Sequence, residues 1–189
     1  MSWRIRNQEK YLNNKQLIKI DVSKFKSKLK NDGLFHEHCE FCFEKIENLE
    51  EAYCTKNFYH WICPKCYNDF LNQFNMKEIK YKYFVLNYQR KGTSYHEFVF
   101  GKQNDKHWND YSLYVSDDIM QKIQLYKIFE DNVKEYQYYG STIVDTEKWK
   151  KILGVLNQYS VEVQEAINEI KEWVTYSIEK YKCFSILGI

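Results

Sequence analysis

Several signatures that identify common classes of protein are missing from this sequence. Proline occurs once, as Pro64, and glycine six times; neither builds the Pro/Gly/Ser-rich tract of a flexible linker, and no internal repeat is present. No stretch approaches the roughly 18 consecutive apolar residues of a membrane-spanning helix. Residues 1–12 also lack the apolar run of a signal peptide. We therefore expect a cytoplasmic protein without membrane association.

The usual catalytic and nucleotide-binding motifs are missing as well. There is no GxGxxG, GxxxxGK[ST], GxSxG or HExxH. Residues 36–38 read His-Glu-His, but the zinc-deaminase signature requires HxE with PCxxC, and here Pro64 lies inside the second cysteine pair. His96 and His107 have acidic neighbours in the sequence but no nucleophile at a recognisable spacing, which favours a solvated loop. The sequence predicts a protein that is not an enzyme.

Aromatic side chains are the residues present in excess. The 189 residues include 17 Tyr, 12 Phe and 5 Trp, and the hydrophobic content is 44%. A chain of this length buries roughly 70% of the surface of its unfolded state, so a core needs no disulfides. The aromatic surplus must then be buried or must face a partner.

Charged residues are segregated near the N-terminus, although the net charge is only +2. Residues 4–30 hold nine basic and two acidic side chains, and residues 31–51 hold seven acidic side chains and one lysine. The two blocks can neutralise each other in the folded protein. The alternative is a nucleic-acid footprint on the basic 4–30 segment. As a strand, residues 23–30 (SKFKSKLK) would carry a face made of Lys24, Lys26, Lys28 and Lys30.

Two CxxC pairs give the strongest signal in the sequence. Cys39-x-x-Cys42 and Cys63-x-x-Cys66 are separated by twenty residues, a spacing at which two knuckles bring four thiolates around one tetrahedral Zn²⁺. A thioredoxin-like redox role lacks the βαβ context that it needs. The sequence predicts a zinc site formed by Cys39, Cys42, Cys63 and Cys66.

The full ligand set and the role of the metal stay open at this point. Four further residues lie close enough in sequence to replace a thiolate or to bind a second ion: Cys54, His36, His38 and His60. Cys54 is the strongest of them, and its alternative is buried packing. A catalytic zinc would need an open coordination position and a carboxylate such as Glu37 or Glu40. Four thiolates fill the metal, which favours a structural ion that contributes on the order of 10 kcal/mol to folding.

Beyond residue 78 the pattern becomes that of an α+β domain. Aromatic and β-branched runs predict strands over 81–88, 95–101 and 111–116, the first two joined as a hairpin. Residues 138–145 predict a short strand or turn, and residues 183–189 alternate like a final strand inserted into the sheet.

Three helices are predicted in the same region. Ser116 is expected to cap a helix that carries Ile119, Ile123 and Tyr126 on one face. A second helix contains Trp149, Ile152, Leu153 and Leu156. The clearest runs over 161–181, with Ser160 as its N-cap, because apolar residues recur at three- and four-residue spacing. The expected fold is α+β, with a zinc-ribbon-like domain over 1–78 and, over 79–189, an antiparallel or mixed sheet packed with two or three helices.

Residues 1–78 resemble a group of small uncharacterised Firmicutes proteins. The likeness lies in WRIRNQEKYL (3–12), HEHCEFCFEKI (36–46), YCT (53–55) and YHWICPKCYNDF (59–70). That group shares a W-[KR]-I-R-N-Q-E-K-Y-L start and a doubled CxxC. The resemblance implies zinc binding by the four cysteines of the two pairs and no known activity.

Residues 79–189 resemble cytosolic immunity proteins of bacterial polymorphic-toxin systems. The likeness lies in YYGSTIVDTEKWKKIL (138–153) and FSILGI (184–189). It implies a small α+β protein that neutralises a cognate toxin domain by direct binding. We therefore expect a non-catalytic binding protein with a protein partner, and the alternative is a nucleic-acid-binding zinc-ribbon protein.

Overall fold

A computed structural model of the chain describes residues 3–29, 35–103 and 106–189. The chain divides into two compact units, Met1–Lys80 and Tyr81–Ile189. Each unit combines a four-stranded sheet with helices, which confirms the α+β class. The division after Lys80 lies next to the change in composition at residue 78.

Unit 1 is built on a mixed sheet. Across the sheet the strands are β3 (Trp61–Ile62), β2 (Glu51–Thr55), β1 (Gln16–Asp21) and β4 (Lys77–Ile79). The pairs β1–β2 and β2–β3 are antiparallel, whereas β1–β4 is parallel. Among the described residues of unit 1, three short α-helices accompany the sheet: α1 (Glu9–Leu12), α2 (Val22–Lys26) and α3 (Pro64–Phe70).

The expected lysine-faced strand is wrong for the described part of residues 23–30. Residues 22–26 are helical because the Asp21 carboxylate accepts the backbone N–H of Lys24 as an N-cap, and because Phe25 is buried. Lys30 lies outside the described residues. Lys24 and Lys26, which would lie on one face of a strand, therefore point in different directions from α2.

Unit 2 is built on an antiparallel sheet. Across the sheet the strands are β6 (Leu113–Ser116), β5 (Tyr95–Phe100), β8 (Cys183–Leu187) and β7 (Ser141–Asp145). Its helices are α4 (Asp117–Lys122), α5 (Leu125–Asn132), α6 (Thr146–Val155) and α7 (Val161–Tyr181). The final strand β8 lies in the interior of the sheet, between β5 and β7.

One face of this sheet meets the helices through aromatic rings that pack edge to face. Phe98 of β5 packs edge-on against Phe129 of α5 at a centroid distance of 5.8 Å. Phe184 of β8 meets Trp149 of α6 at 5.7 Å and Trp173 of α7 at 6.3 Å. All five side chains are buried, and each aromatic of this size adds about 1.5–3 kcal/mol when fully buried. Much of the aromatic surplus is therefore core.

Several predicted elements of unit 2 are confirmed. Helix α7 begins and ends where its periodicity indicates, and the Ser160 hydroxyl accepts the backbone N–H of Val163. Ser116 caps α4 in the same way, through the N–H of Ile119. The predicted final strand is β8.

Two predictions in unit 2 are wrong. Residues 81–88 do not form a hairpin strand; within them only Val85 makes a bridge, to Tyr114. The helix expected after Ser116 is two helices, because Gln124 adopts a left-handed conformation with φ +57° between α4 and α5.

Candidate metal centre

The first cysteine pair lies in a tight turn. The N–H of Cys39 donates to the carbonyl of Glu44 at 2.8 Å, and the N–H of Phe43 donates back to the carbonyl of Cys39 at 2.9 Å. The backbone of Phe43 is left-handed, with φ +62°. This conformation is unfavourable for a residue that carries a Cβ. The turn places the Cys39 and Cys42 sulfurs on the same side of the chain.

The second cysteine pair lies at the start of α3. Cys63 is the N-cap residue, Pro64 occupies the first turn, and the N–H of Cys66 points to the Cys63 sulfur at 3.4 Å. Proline suits this position because the first N–H groups of a helix have no internal partner. The two pairs are held together by β3, where the N–H of Glu40 donates to the carbonyl of Trp61 at 2.9 Å.

The four cysteine sulfurs form one cluster. Their Sγ atoms all lie within 4.8 Å of one another, and Cys42 Sγ is 3.7 Å from Cys63 Sγ. A tetrahedron with Zn–S bonds of about 2.3 Å has S–S edges of roughly 3.8 Å. Cys39, Cys63 and Cys66 are buried and Cys42 is partly exposed. The structure thus brings together the four residues named from the sequence, in a geometry compatible with a metal ion.

Crowding couples the thiols of Cys39, Cys63 and Cys66. A hydrogen bond from Cys63 lowers the pKa of Cys39 to about 5. That same hydrogen bond raises the pKa of Cys63, and burial raises the pKa of Cys66 to about 12. One thiolate is therefore accommodated readily while further negative charge is opposed. A divalent cation removes that opposition, because thiolates are its ligands.

An N-terminal strap, residues 3–12, lies across the cysteine cluster. Arg4 donates from Nη1 to Cys66 Sγ at 3.3 Å, and Arg6 donates from Nη2 to the carbonyl of Phe41 at 3.1 Å. The buried Gln8 side chain donates to the carbonyl of Glu40 at 2.8 Å. Tyr11 donates from its hydroxyl to the Glu40 carboxylate at 2.9 Å. These contacts explain what the WRIRNQEKYL segment does, which spacing alone does not reveal.

The other residues considered as ligands lie outside the sulfur cluster. Cys54 is fully buried on β2, and burial raises its pKa well above the ordinary value. His36 Nδ1 lies 3.1 Å from the Glu47 carboxylate, and the His38 ring meets the His36 ring at a centroid distance of 4.8 Å. His60 Nδ1 lies 2.7 Å from Glu40, with its ring stacked on Tyr11.

Glu37 and Glu40, the carboxylates considered as a general base, have other surroundings. Glu40 is held by Tyr11 and His60. Burial raises its pKa, but the hydrogen bonds from His60 and Tyr11 together with the interaction with His60 outweigh burial and lower the pKa below its ordinary value. Burial raises the pKa of Glu37. The four sulfurs around one point are compatible with a metal ion held by cysteines alone.

His96 and its neighbour Glu97 do not lie in a solvated loop as predicted but on β5, whereas His107 lies between β5 and β6 with its side chain 34% exposed. His96 and Glu97 are fully buried on β5, and as neighbours on a strand they point to opposite faces. His96 Nε2 lies 3.2 Å from Asp117, whereas His107 Nδ1 lies 3.7 Å from Glu97. Glu97 accepts the backbone N–H groups of Trp108 and Asn109, both at 2.6 Å. Glu97 therefore anchors the segment before β6, and the two histidines are not partners.

Comparison of the chain with models of protein families, with curated proteins and with solved structures finds no match in any of the three. Among the described residues, no helix combines the length and apolar character needed to cross a membrane.

Proposed function

We propose that Cys39, Cys42, Cys63 and Cys66 hold one structural Zn²⁺ in a zinc-ribbon-like unit 1. The observation that supports this proposal is the cluster of four sulfurs, which belong to three buried cysteines and one partly exposed cysteine. Tetrahedral all-sulfur sites select zinc or iron, and closed sites of this kind stabilise a fold rather than activate water.

Metal analysis of the purified chain tests this site. We expect one zinc per chain, and cobalt substitution that gives a tetrahedral sulfur-ligated spectrum. A Cys39→Ser variant should lose the metal, whereas Cys183→Ser, which changes a half-buried cysteine on β8, should keep it. A wild-type chain purified in reducing buffer that binds no zinc would exclude the proposal.

We further propose that the chain acts as a cytoplasmic immunity protein, which neutralises a toxin domain by direct binding. Support comes from its resemblance to immunity proteins and from the aromatic side chains that remain exposed in a molecule whose other rings are largely buried. These are Trp3 (72% exposed), Phe43 (58%), Tyr59 (59%), Tyr139 (76%) and Tyr181 (43%). Tyrosine and tryptophan are favoured anchors at protein interfaces.

Co-expression with the product of a neighbouring toxin gene tests this role. We expect the chain to protect the cell and to co-purify with that product. Tyr139→Ala and Phe43→Ala would then identify which unit carries the contact, with Tyr181→Ala as a third exposed aromatic. A chain that neither binds nor protects would refute the immunity role and leave the metal site untouched.

The alternative, nucleic-acid binding by the basic 4–30 segment, has less support. Several cations of the basic segment have acidic neighbours: Lys19 Nζ lies 2.7 Å from Glu51, and Lys24 Nζ lies 2.8 Å from Asp21. Arg4 pairs with Asp69 at 2.7 Å. A phosphate-binding surface needs cations available to the backbone of the nucleic acid and gives steeply salt-dependent binding. A gel-shift experiment at low salt with single- and double-stranded DNA and RNA would detect it.

A further inference from the structure

We infer that Arg4 is a positioning residue of the metal centre, which holds the Cys66 thiolate in place and offsets part of the charge of the four-thiolate site. This inference rests on the proposed Zn²⁺ site and adds to it a residue that is not a ligand. Sequence spacing gives no indication of it, because Arg4 and Cys66 lie 62 residues apart.

Three contacts fix the Arg4 guanidinium. Nη1 lies 3.3 Å from Cys66 Sγ, Nη2 lies 2.7 Å from Asp69 Oδ2, and the guanidinium carbon lies 4.6 Å from the centroid of the Phe70 ring. Cys66, Asp69 and Phe70 all belong to α3. The guanidinium is therefore clamped between the second cysteine pair and the rest of its helix, with its side chain only 21% exposed.

The backbone at Arg4 is also held. The buried Gln8 side chain donates both to the carbonyl of Arg4 at 3.0 Å and to the carbonyl of Glu40 at 2.8 Å. Glu40 lies between the two cysteines of the first pair. One side chain thus ties the position of Arg4 to the first knuckle, while the guanidinium contacts the second.

Charge gives this contact its effect. Four thiolates around a divalent cation leave two net negative charges, and Asp69 adds a third nearby. A guanidinium is always charged and offers several donors in a fixed plane, so it can serve the sulfur and the carboxylate together. A lysine ammonium supplies the charge but not the planar set of N–H donors. Loss of an outer partner of a metal ligand typically weakens metal affinity by about 10–100-fold.

The test compares Arg4→Met with Lys10→Met in the full-length, zinc-loaded chain. Lys10 is the matched control, because it is an exposed cation on the same strap, in α1. Zinc affinity is measured by competition with a chromogenic chelator. Alkylation of each cysteine by iodoacetamide is followed by peptide mass spectrometry, and the sulfur-to-cobalt charge-transfer band is recorded in the cobalt form.

We expect Arg4→Met to weaken zinc binding by about 10-fold or more, to speed alkylation of Cys66 more than that of Cys39, and to shift the cobalt band. Arg4→Lys should restore part of each change, and it keeps the test usable if Arg4→Met fails to fold. Lys10→Met should leave zinc affinity, Cys66 alkylation and the cobalt band unchanged.

Equal acceleration at Cys39 and Cys66 with an unchanged cobalt band would mean that Arg4 only stabilises the unit, and would overturn the inference. Unchanged affinity and Cys66 reactivity in Arg4→Met would overturn it as well. If the wild-type chain binds no zinc at all, the proposed metal site fails first, and that result is visible before any variant is compared.

Discussion

At the scale of single residues, burial decides what the polar side chains do. Cys54, His96 and Glu97 are each fully buried. The sequence instead suggests an additional ligand for Cys54 and a solvated loop for His96 and Glu97. Cys54 packs in β2, away from the four-sulfur cluster. Glu97 uses its carboxylate to hold backbone N–H groups. Each residue therefore contributes through local structure, and the effect of changing it follows from its partners.

Replacing Cys66 should have a larger effect than replacing Cys54. Cys66→Ser removes one of four sulfurs, so we expect loss of bound zinc and of most of the roughly 10 kcal/mol that such a site contributes. Cys54→Val conserves volume in a buried position and should cost less than about 1.5 kcal/mol. Zinc per chain by plasma mass spectrometry, with thermal unfolding, measures both. Loss of zinc in Cys54→Val would show that Cys54 is a ligand.

The stability of unit 2 should fall on acidification because of His96. Burial lowers the pKa of His96 below its ordinary value of 6.5, and its Nδ1 has no partner among the described residues. The unfolded chain then binds the proton more readily than the folded one, so the free energy of unfolding decreases as pH falls below about 6.5. The slope is at most about 1.4 kcal/mol per pH unit for one group.

Denaturant unfolding of unit 2 at a series of pH values between about 7.5 and 5 measures this effect. His96→Gln should flatten the curve, since the group that gains the proton is gone. His36→Gln, an exposed histidine of unit 1, is the control and should leave the slope of unit 2 unchanged. An unchanged slope in His96→Gln would assign the acid sensitivity to other groups.

The cysteine positions were predictable from sequence, whereas their supporting residues were not. A doubled CxxC has few alternative explanations, because each pair can chelate only if its two sulfurs face one point. The contacts of Arg4 and Gln8 depend on a strap that returns to the cluster across more than thirty residues of sequence. No local pattern encodes such a contact.

At the scale of elements, the segment over residues 81–88 shows how one carboxylate overrides local propensity. Its aromatic and β-branched residues favour a strand, yet the backbone N–H groups of Lys82, Tyr83 and Phe84 all donate to the carboxylate of Glu169 on α7. Phe84 and Glu169 lie 85 residues apart. Donors committed to a helix side chain cannot join a sheet ladder.

Removing this carboxylate should loosen the segment. Glu169→Ala leaves three backbone donors without their acceptor, so we expect a loss of about 1–3 kcal/mol in the stability of unit 2. Amide exchange of residues 82–84 should accelerate more than that of β5. Glu179→Ala, an exposed position of the same helix, is the matched control. Equal exchange in both variants would contradict the assigned role of Glu169.

Helix α7 and the α4–α5 pair differ in how much of them the sequence predicts. Over residues 161–181 the apolar spacing is continuous and Ser160 marks the start, so both ends were predictable. The interruption at Gln124 was not, because a left-handed residue with a side chain carries no glycine signal. Apolar residues continue through it at helical spacing.

At the scale of the whole molecule, each unit has its own sheet and its own core. In unit 1 the rings of Phe25, Phe35 and Trp61 pack together with centroid distances of 5.3–5.8 Å. In unit 2 the corresponding cluster surrounds Phe98 and Phe184. Only unit 1 contains the sulfur cluster, so the two units should respond differently to loss of metal.

Chelation should destabilise unit 1 selectively. With excess chelator under reducing conditions, we expect amides of β1 and β2 to lose protection from hydrogen exchange, because metal binding and folding are coupled in small all-sulfur sites. Amides of β5 and β8 should keep their protection. Hydrogen exchange with mass spectrometry resolves the two sets in one sample. Parallel loss in both sheets would show that the units unfold as one.

The interior position of β8 has a consequence for synthesis on the ribosome. Among the described strands, β7 pairs with the sheet only through β8. When a nascent chain has emerged as far as α6, the edge of β5 is therefore open and β7 has no partner strand. Translation must continue through the whole of α7 before that gap can close, at about 5–20 residues per second. Unit 1 precedes unit 2 in the chain, and the four strands described in its sheet all come before residue 80. The exposed edge of β5 is therefore the surface that a chaperone on the ribosome would need to shield.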